Sequence, residues 1–281
     1  MTDTGDIFYG DHAFKVQTNL GTINYTALPT SSLLSATPPN PPAHFTGREA
    51  EIEKLAALIT SGESVAITAL QGMGGIGKTA LAQKLAERIR GKFPGGVLWW
   101  SLGPTPDLYA ALDVWARHAS PHADLTKYPD LDSRAEAARP LLARLGPLCA
   151  LLDDVWSEDA AQILLKALPP GTPILLTTRD GDLAKALRCR VERINSLTED
   201  ETVALLAKLL GPLDSNEYAA REIAGLTDGL PLALELVAGL ADSPADLPAL
   251  ASQLKTGPAL DLLKLPGEEK RERSVEACLA L

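Results

Sequence analysis

The sequence predicts an α/β protein in which a five-stranded parallel sheet has flanking helices and is followed by a small α-helical bundle. Five short apolar runs alternate with helical segments between residues 64 and 194, the order typical of βαβ units. Several runs are apolar on both faces, as strands covered by helices on each side are. After residue 195 apolar residues recur only at helical spacing, which indicates the bundle.

Composition and charge narrow the class of protein. Apolar residues make up 46% of the 281 residues and charged residues 22%, as in ordinary globular proteins. The net charge of −10 argues against binding to nucleic acid or to an acidic membrane. Because no apolar run approaches the ~20 residues of a membrane helix and no signal sequence is visible, we expect a cytoplasmic protein. The cysteines have no metal or redox spacing and are expected to be small buried side chains: Cys149, Cys189 and Cys278.

The first 43 residues differ from the rest. Residues 1–28 are rich in β-branched and aromatic residues and predict a β-rich arm of two or three short strands. Residues 29–43 form a Pro-rich linker by composition. The segment His44–Thr60 predicts the first helix, with a capping box made by Thr46 and Glu49. The apolar face of this helix would consist of Ile52, Leu55, Ala56 and Ile59.

The most informative stretch is Gln71–Ala80, which lies between the apolar run Ser64–Leu70 and a helix expected at Gly77–Arg90. It matches G-x-x-x-x-G-K-[ST], the phosphate-binding loop or P-loop. Glycines let backbone amides turn toward a phosphate, and the helix N-terminus adds positive potential. A glycine-rich turn without a ligand is disfavoured, because a strand precedes the motif and a helix follows it. The residues expected around the phosphates are Gly72, Gly74, Gly75, Ile76, Gly77, Lys78, Thr79 and Ala80.

Three side chains are expected to act on the phosphates and on Mg²⁺. Lys78 would neutralise charge on the β- and γ-phosphates, and the hydroxyl of Thr79 would ligate Mg²⁺. The apolar run Leu148–Asp154 ends in two acids, and a buried strand places its last side chains at the ligand-binding edge of such a sheet. There Asp153 could hold Mg²⁺ through water, while Asp154 could polarise the attacking water. The alternative for Asp154 is that it caps the next helix.

The other strands are expected at Gly96–Leu102, Thr172–Arg179 and Arg190–Ile194. Helices are expected at Asp107–Ala119 and Ser133–Leu145. Trp115, in the first of these helices, is interpreted as a core residue. An arginine after a strand is usually a surface residue. Arg179, however, follows a strand of the sheet that would carry the P-loop and the two acids, so we expect it to meet the γ-phosphate.

Helical signals fill the rest of the chain. Thr198 and Glu201 form a capping box that starts a helix. Gly229 is expected to end the helix over Glu217–Leu226, and Pro231 to occupy the first turn of the next one. Further helices are expected at Ala245–Leu254, Ala259–Leu263 and Ser274–Leu281. Since the last helix has no cap, we expect the chain to be a piece of a longer protein.

Seven segments, in one order, resemble the NB-ARC domain of the STAND class of P-loop ATPases: FTGRE, GMGGIGKT, VLWWSL, ALLDDVW, ILLTTRD, LTEDETVALL and GLPLAL. That family includes apoptosome-forming factors, plant disease-resistance receptors and bacterial regulators. The resemblance covers about residues 44–281. It implies a P-loop nucleotide-binding domain at 44–196, a helical ARC-type subdomain at 197–266 and the start of a truncated winged-helix domain at 267–281.

The resemblance also implies site roles. Phe45, Gly47 and Arg48 would lie along the adenine and ribose, and Pro231 would pack on the adenine. Arg179 would sense the γ-phosphate from a strand placed between the P-loop strand and the strand of the two acids. The winged-helix domain of the family carries a Met-His-Asp motif that contacts ADP. This chain lacks that motif, so we expect weaker retention of ADP than in a full-length relative.

The motifs and the resemblance together predict an ATP- and ADP-binding signal-transduction switch with slow, Mg²⁺-dependent hydrolysis of ATP. ADP would favour a closed monomer, and ATP an open form that associates with itself or with a partner protein. Direct contact with nucleic acid or with a membrane is not expected. Two alternatives stay open. One is a P-loop kinase or motor ATPase with faster turnover, and the other is a nonenzymatic scaffold that keeps ADP bound.

Overall fold

The computed structural model describes residues 35–69 and 74–256 and, before them, three strands. The chain divides into two compact units. The first unit comprises residues 1–41, 52–68 and 82–192, and the second comprises residues 42–51, 69–81 and 193–281. The second unit therefore combines three segments that are far apart in the sequence.

Three antiparallel strands form the N-terminal sheet: β1 (Thr4–Tyr9), β2 (His12–Asn19) and β3 (Thr22–Ala27). The prediction of two or three short strands in the first 28 residues is thereby confirmed. The end of the predicted linker contacts the first unit, since the amide of Trp99 donates to the carbonyl of Ala36 over 2.6 Å. Ala36 is buried in the core there, so this part of the linker is packed.

A five-stranded parallel sheet organises the first unit, as predicted, with the strand order β5-β6-β7-β4-β8. β7 lies between β4, which leads into the P-loop, and β6, which carries the two acids, and this confirms the predicted strand order. The strands are β4 (Val65–Ala69), β5 (Val97–Gly103), β6 (Cys149–Val155), β7 (Ile174–Thr178) and β8 (Arg190–Ile194). The accompanying helices are α1 (Glu49–Thr60), α2 (Lys78–Ile89), α3 (Leu108–Ala119), α4 (Leu131–Ala143), α5 (Glu158–Ala167) and α6 (Gly181–Ala186).

The core of this sheet is apolar on both faces, as its sequence predicts. The first four residues of β5 and the first four residues of β6 are buried. Trp115 of α3 is fully buried, and its indole N–H donates to the carbonyl of Trp99 over 2.9 Å. The interpretation of Trp115 as a core residue is confirmed, because a buried indole needs such an acceptor.

The predicted cap of α1 is wrong. α1 begins at Glu49, and the hydroxyl of Thr46 donates to the carbonyl of His44 instead of capping the helix. The physical cause is that a short polar side chain bonds whichever backbone group lies nearest, and spacing alone does not identify that group. The alternative role of Asp154 as a cap is also excluded, because the side chain of Ser157 accepts the amide of Ala160 at the start of α5.

Within the described residues, four helices form the bundle of the second unit: α7 (Glu199–Leu210), α8 (Glu217–Leu226), α9 (Pro231–Gly239) and α10 (Leu247–Thr256). α7 packs on α8 and α9, and α10 packs on α8. The capping box of Thr198 and Glu201 is confirmed, and Pro231 occupies the first turn of α9 as predicted. The helices expected at Ala259–Leu263 and Ser274–Leu281 lie outside the described residues.

Candidate functional site

The P-loop lies in the second unit, where it joins β4 to α2. Gly75 and Gly77 adopt φ angles of +78° and +85°, a left-handed conformation that glycine adopts without strain. Lys78 and Thr79 open α2 and are half-buried. Half-buried side chains in the first turn of this helix are accessible to a ligand. The predicted phosphate ligand Gly72 lies outside the described residues.

Close packing adds a second reason for glycine at position 75. A Cβ atom at Gly75 would lie 2.7 Å from the Cβ of Leu232, which is closer than real Cβ contacts allow. The amide of Leu232, in the first turn of α9, donates to the Gly75 carbonyl over 3.2 Å. The neighbouring Pro231 lies beside Gly77, with its Cγ 3.8 Å from the Cβ position of that glycine. The GLPLAL segment and the P-loop are therefore in direct contact.

Arg48 bonds the next residue of the P-loop. Its Nη2 donates to the carbonyl of Ile76 over 2.6 Å and to that of Asn195 over 3.1 Å. The residue is buried at 4% exposure, and within the described part of the chain its Nη1 has no hydrogen-bond partner. Burial lowers the pKa of the guanidinium, although Glu51 and Glu201 oppose this shift. An arginine donor without an acceptor in a buried position is suited to a ligand.

The backbone around Arg48 is also specialised. Gly47 and Arg48 adopt φ angles of +71° and +66°. A Cβ atom at Gly47 would collide with the carboxylate of Glu201, whose Oε1 accepts the Arg48 amide over 2.9 Å. The carbonyl of Phe45 accepts a hydrogen bond from Lys208 over 2.7 Å. The segment that contains the predicted base- and ribose-binding residues is thus bonded to the P-loop and to α7.

The two acids lie in the first unit at the carboxyl end of β6. Asp153 is fully buried, and its Oδ1 accepts the hydroxyl of Thr177 over 2.6 Å. The same hydroxyl oxygen accepts the Asp154 amide over 2.9 Å. Asp154 has a φ angle of +48°, where the register of β6 with β7 is irregular. This irregular backbone turns consecutive side chains away from regular strand alternation.

Arg179 follows β7 and is exposed. Its guanidinium carbon lies 5.2 Å from the centre of the Trp156 ring, in the range of a cation–π interaction. Trp156 is itself 50% exposed. Thr177 and Trp156 were not predicted as residues of the site. Two threonines at the end of an otherwise apolar strand were a signal for the former, whereas nothing in the sequence links Trp156 to Arg179.

The donor chemistry fits Mg²⁺. Thr79 in the second unit offers a hydroxyl, and Asp153 in the first unit offers a carboxylate. Each is a hard oxygen ligand of the kind that Mg²⁺ prefers. Within the described residues, no group of three or more His, Cys, Asp or Glu could hold a metal by itself.

Burial raises the pKa of the Cys149 and Cys189 thiols to about 12, which keeps both protonated. They are buried, as predicted, while Cys278 lies outside the described residues. No helix of the described part is long and apolar enough to cross a membrane.

Comparison with known proteins shows the family of the chain. The family model of the NB-ARC domain matches residues 48–215. The chain belongs to the NB-ARC family. This NB-ARC chain is 33% identical over 235 residues to the regulatory protein AfsR of Streptomyces coelicolor, covering 74% of the chain and 22% of AfsR. It is 26% identical over 219 residues to the probable disease resistance protein RF45 of Arabidopsis thaliana, covering 70% of the chain and 21% of RF45. It spans about a fifth of the length of these relatives.

Solved structures confirm the fold of the NB-ARC chain. One is a Signal Transduction ATPase with Numerous Domains (STAND) protein with a tetratricopeptide repeat sensor from Pyrococcus horikoshii. It has a TM-score of 0.53 and 20% identity, and the match covers 82% of this chain and 35% of that protein. The other is the Aeropyrum pernix ORC2 protein, with a TM-score of 0.55 and 20% identity, covering 78% and 70%. The α/β fold expected for a P-loop ATPase is therefore confirmed.

Proposed function

We propose that this NB-ARC chain is a switch that binds ADP and ATP with Mg²⁺ and hydrolyses ATP slowly. One observation carries the proposal. The backbone of the P-loop accepts one hydrogen bond from Arg48, at Ile76, and one from Leu232 of α9, at Gly75. Three sequence motifs that are distant along the chain therefore meet at the loop that is expected to hold phosphate. A structural turn would not need such convergence.

The nucleotide would bind where these three motifs meet. The amides of the P-loop would surround the phosphates, while Phe45, Gly47 and Arg48 would lie along the base and ribose, and Pro231 would pack on the adenine. The Nη1 of Arg48, which has no hydrogen-bond partner among the described residues, supports this assignment. Leaving a buried donor without an acceptor costs about 1–3 kcal/mol, and an acceptor on the nucleotide would remove that cost.

Hydrolysis would use the side chains at the ends of β6 and β7. Lys78 would neutralise the β- and γ-phosphates, and Asp154 would polarise the attacking water. Thr79 and Asp153 would hold Mg²⁺, which supplies positive charge to the phosphates when it is bound. Arg179 would respond to the γ-phosphate. The hydrogen bond from Thr177 supports the role of Asp153, because it fixes that carboxylate in one orientation.

The switch itself would follow from differential binding. A γ-phosphate offers contacts to Lys78 and Arg179 that ADP lacks, and a ligand shifts a conformational equilibrium only by such a difference. We propose that ADP favours a closed monomer and that ATP favours an open form. The open form would associate with itself or with a partner protein in the cytoplasm. The relatives include a regulatory protein and a probable disease resistance protein, and a role in signalling is compatible with them.

The test begins with the purified protein, which is denatured so that the nucleotide it releases can be identified by chromatography. The emptied protein is then titrated calorimetrically with ADP and with ATP in the presence of Mg²⁺. We expect heat with both, none with the Lys78→Ala variant, and binding without turnover in the Asp154→Ala variant. Absence of heat with the wild-type chain contradicts the proposal. Turnover above about one per second indicates a kinase or motor, and binding without any hydrolysis indicates a scaffold.

A further inference from the structure

The segment that precedes α1 is held by side chains of the helical bundle, all within the second unit. Lys208 of α7 donates to the carbonyl of Phe45 over 2.7 Å, and Glu201 of α7 accepts the amide of Arg48 over 2.9 Å. Nε2 of His44 donates to a carboxylate oxygen of Glu235, on α9, over 2.9 Å. Three side chains of the bundle thus bond three of five consecutive residues.

The two α7 side chains act together because of their spacing. Positions 201 and 208 are seven residues apart, which is two turns of an α-helix, so they lie on the same face. One accepts a backbone N–H and the other donates to a backbone C=O. Lys208 therefore bonds the segment at Phe45, and Glu201 bonds it at Arg48. Together the two side chains fix the path of the chain between these residues.

This segment needs such support. Two consecutive residues, Gly47 and Arg48, adopt a left-handed conformation, which is strained for a residue other than glycine. Arg48 nevertheless has to direct its guanidinium toward the Ile76 carbonyl of the P-loop. Because Glu201 accepts the main-chain amide of Arg48, it fixes the backbone position from which the Arg48 side chain extends.

We propose that Glu201 and Lys208 are positioning residues for the base and ribose of the bound nucleotide, acting through residues 45–48. The bundle then sets the affinity for the nucleoside part of the ligand, whereas the P-loop sets the affinity for its phosphates. This inference rests on the proposed nucleotide binding. It adds that α7 takes part in binding without touching the ligand.

The experiment compares two ligands with each variant by calorimetry on emptied protein: ADP with Mg²⁺, and inorganic pyrophosphate with Mg²⁺. Lys208→Met keeps the length of the side chain and removes the donor, and Glu201→Ala removes the acceptor. Each variant should bind ADP about two- to tenfold more weakly, the loss expected for one hydrogen bond, with unchanged affinity for pyrophosphate. Lys208→Arg, which retains a donor, should restore the affinity for ADP.

Two control variants separate this effect from damage to the bundle. Thr198→Val weakens the same helix cap but leaves the bond between Glu201 and Arg48 in place. Lys255→Met removes another lysine of the bundle, one that pairs with Glu222. Both should bind ADP as the wild type does.

Three results would overturn the inference: ADP affinity unchanged in Lys208→Met and Glu201→Ala, an equal loss for pyrophosphate, or a loss in Thr198→Val as large as in Glu201→Ala. A wild-type chain that binds pyrophosphate but no ADP would overturn both this inference and the proposed function. If the wild type binds ADP and the Lys208→Met and Glu201→Ala variants bind it equally well, only the inference is overturned.

Discussion

The hydroxyl of Thr177 donates to Oδ1 of Asp153 over 2.6 Å, and its oxygen accepts the amide of Asp154 over 2.9 Å. One buried hydroxyl of β7 thus bonds both acids of β6. A carboxylate with this partner has one favoured orientation, and the backbone that presents the next acid is fixed by the same group. Loss of this hydroxyl should therefore affect turnover.

Replacing Thr177 with valine keeps the shape of the side chain and removes the hydrogen bond to the Asp153 carboxylate. We expect ATP hydrolysis to fall about ten- to hundredfold, since bonds to charged groups contribute about 1.5–3 kcal/mol. Steady-state release of phosphate measures this. Thr178→Val is the matched control, because that hydroxyl donates to the carbonyl of Val155 instead. Hydrolysis by Thr177→Val at the wild-type rate would show that the bond has only a structural role.

Gly75→Ala tests the contact between the P-loop and α9. A methyl group there would meet the Cβ of Leu232 at 2.7 Å, in addition to the cost of the positive φ angle. Gly62→Ala is the control, because Gly62 also has a positive φ angle but has no atom within 4 Å of its Cβ position. We expect Gly62→Ala to lower the free energy of unfolding by about 1–2 kcal/mol. Gly75→Ala should lower it further and weaken ADP binding at least about tenfold, as measured by urea unfolding and calorimetry.

The contact of Arg179 with Trp156 provides a spectroscopic signal. If Arg179 moves to the γ-phosphate, a nonhydrolysable ATP analogue should change the emission of Trp156, and ADP should leave it unchanged. Trp156 is half-exposed whereas the other tryptophans of the described chain are buried, so a Trp156→Phe variant gives the background to subtract. The Arg179→Met variant should lose the response. Equal responses to both nucleotides would contradict a sensor role for Arg179.

The stability contributed by Glu201 should depend on pH. Burial opposes its ionisation, but bonds from the Thr198 amide, the Arg48 amide and the Thr198 hydroxyl outweigh burial and lower its pKa from 4.5. A depressed pKa stabilises the folded chain above the ordinary glutamate value, and this contribution is lost as the pH falls through the lowered value.

Chemical unfolding of the wild type and of Glu201→Gln at several pH values measures that contribution. The difference in the free energy of unfolding should be constant from pH 7 down to about 5 and should shrink below about 4.5. Glu217→Gln, an exposed residue paired with Arg221, is the control for general effects of charge. A difference that grows on acidification would contradict the assigned hydrogen bonds.

Much of the fold could be predicted because the signals are local and repeated. Buried parallel strands carry continuous apolar runs, as the first four residues of β6 do, and the capping box of Thr198 and Glu201 is a fixed four-residue pattern. The motif order was sufficient to place β7 between β4 and β6 through the family resemblance. The positive φ angles of Gly75 and Gly77 were expected, but the collision of a side chain at Gly75 with Leu232 was not.

The remaining features depend on contacts between residues that are distant in the sequence. Glu201 was predicted as a cap of α7, and one of its oxygens has that role. Its other oxygen bonds Arg48, which is 153 positions earlier in the chain. The hydroxyl of Thr46 was assigned to a helix cap because of its spacing from Glu49, yet it bonds the adjacent backbone instead. No single-sequence pattern encodes such choices.

The strand order also determines when this protein can begin to fold on the ribosome. β4 pairs with β7, and Val65 faces Leu175 across that ladder, 110 positions later. At about 5–20 residues per second, its partner emerges some 5–20 s after it does. During this interval an apolar strand has no neighbour in its sheet, and binding by a chaperone would prevent its aggregation. Nascent chains halted before residue 174 should therefore remain sensitive to protease throughout the P-loop region.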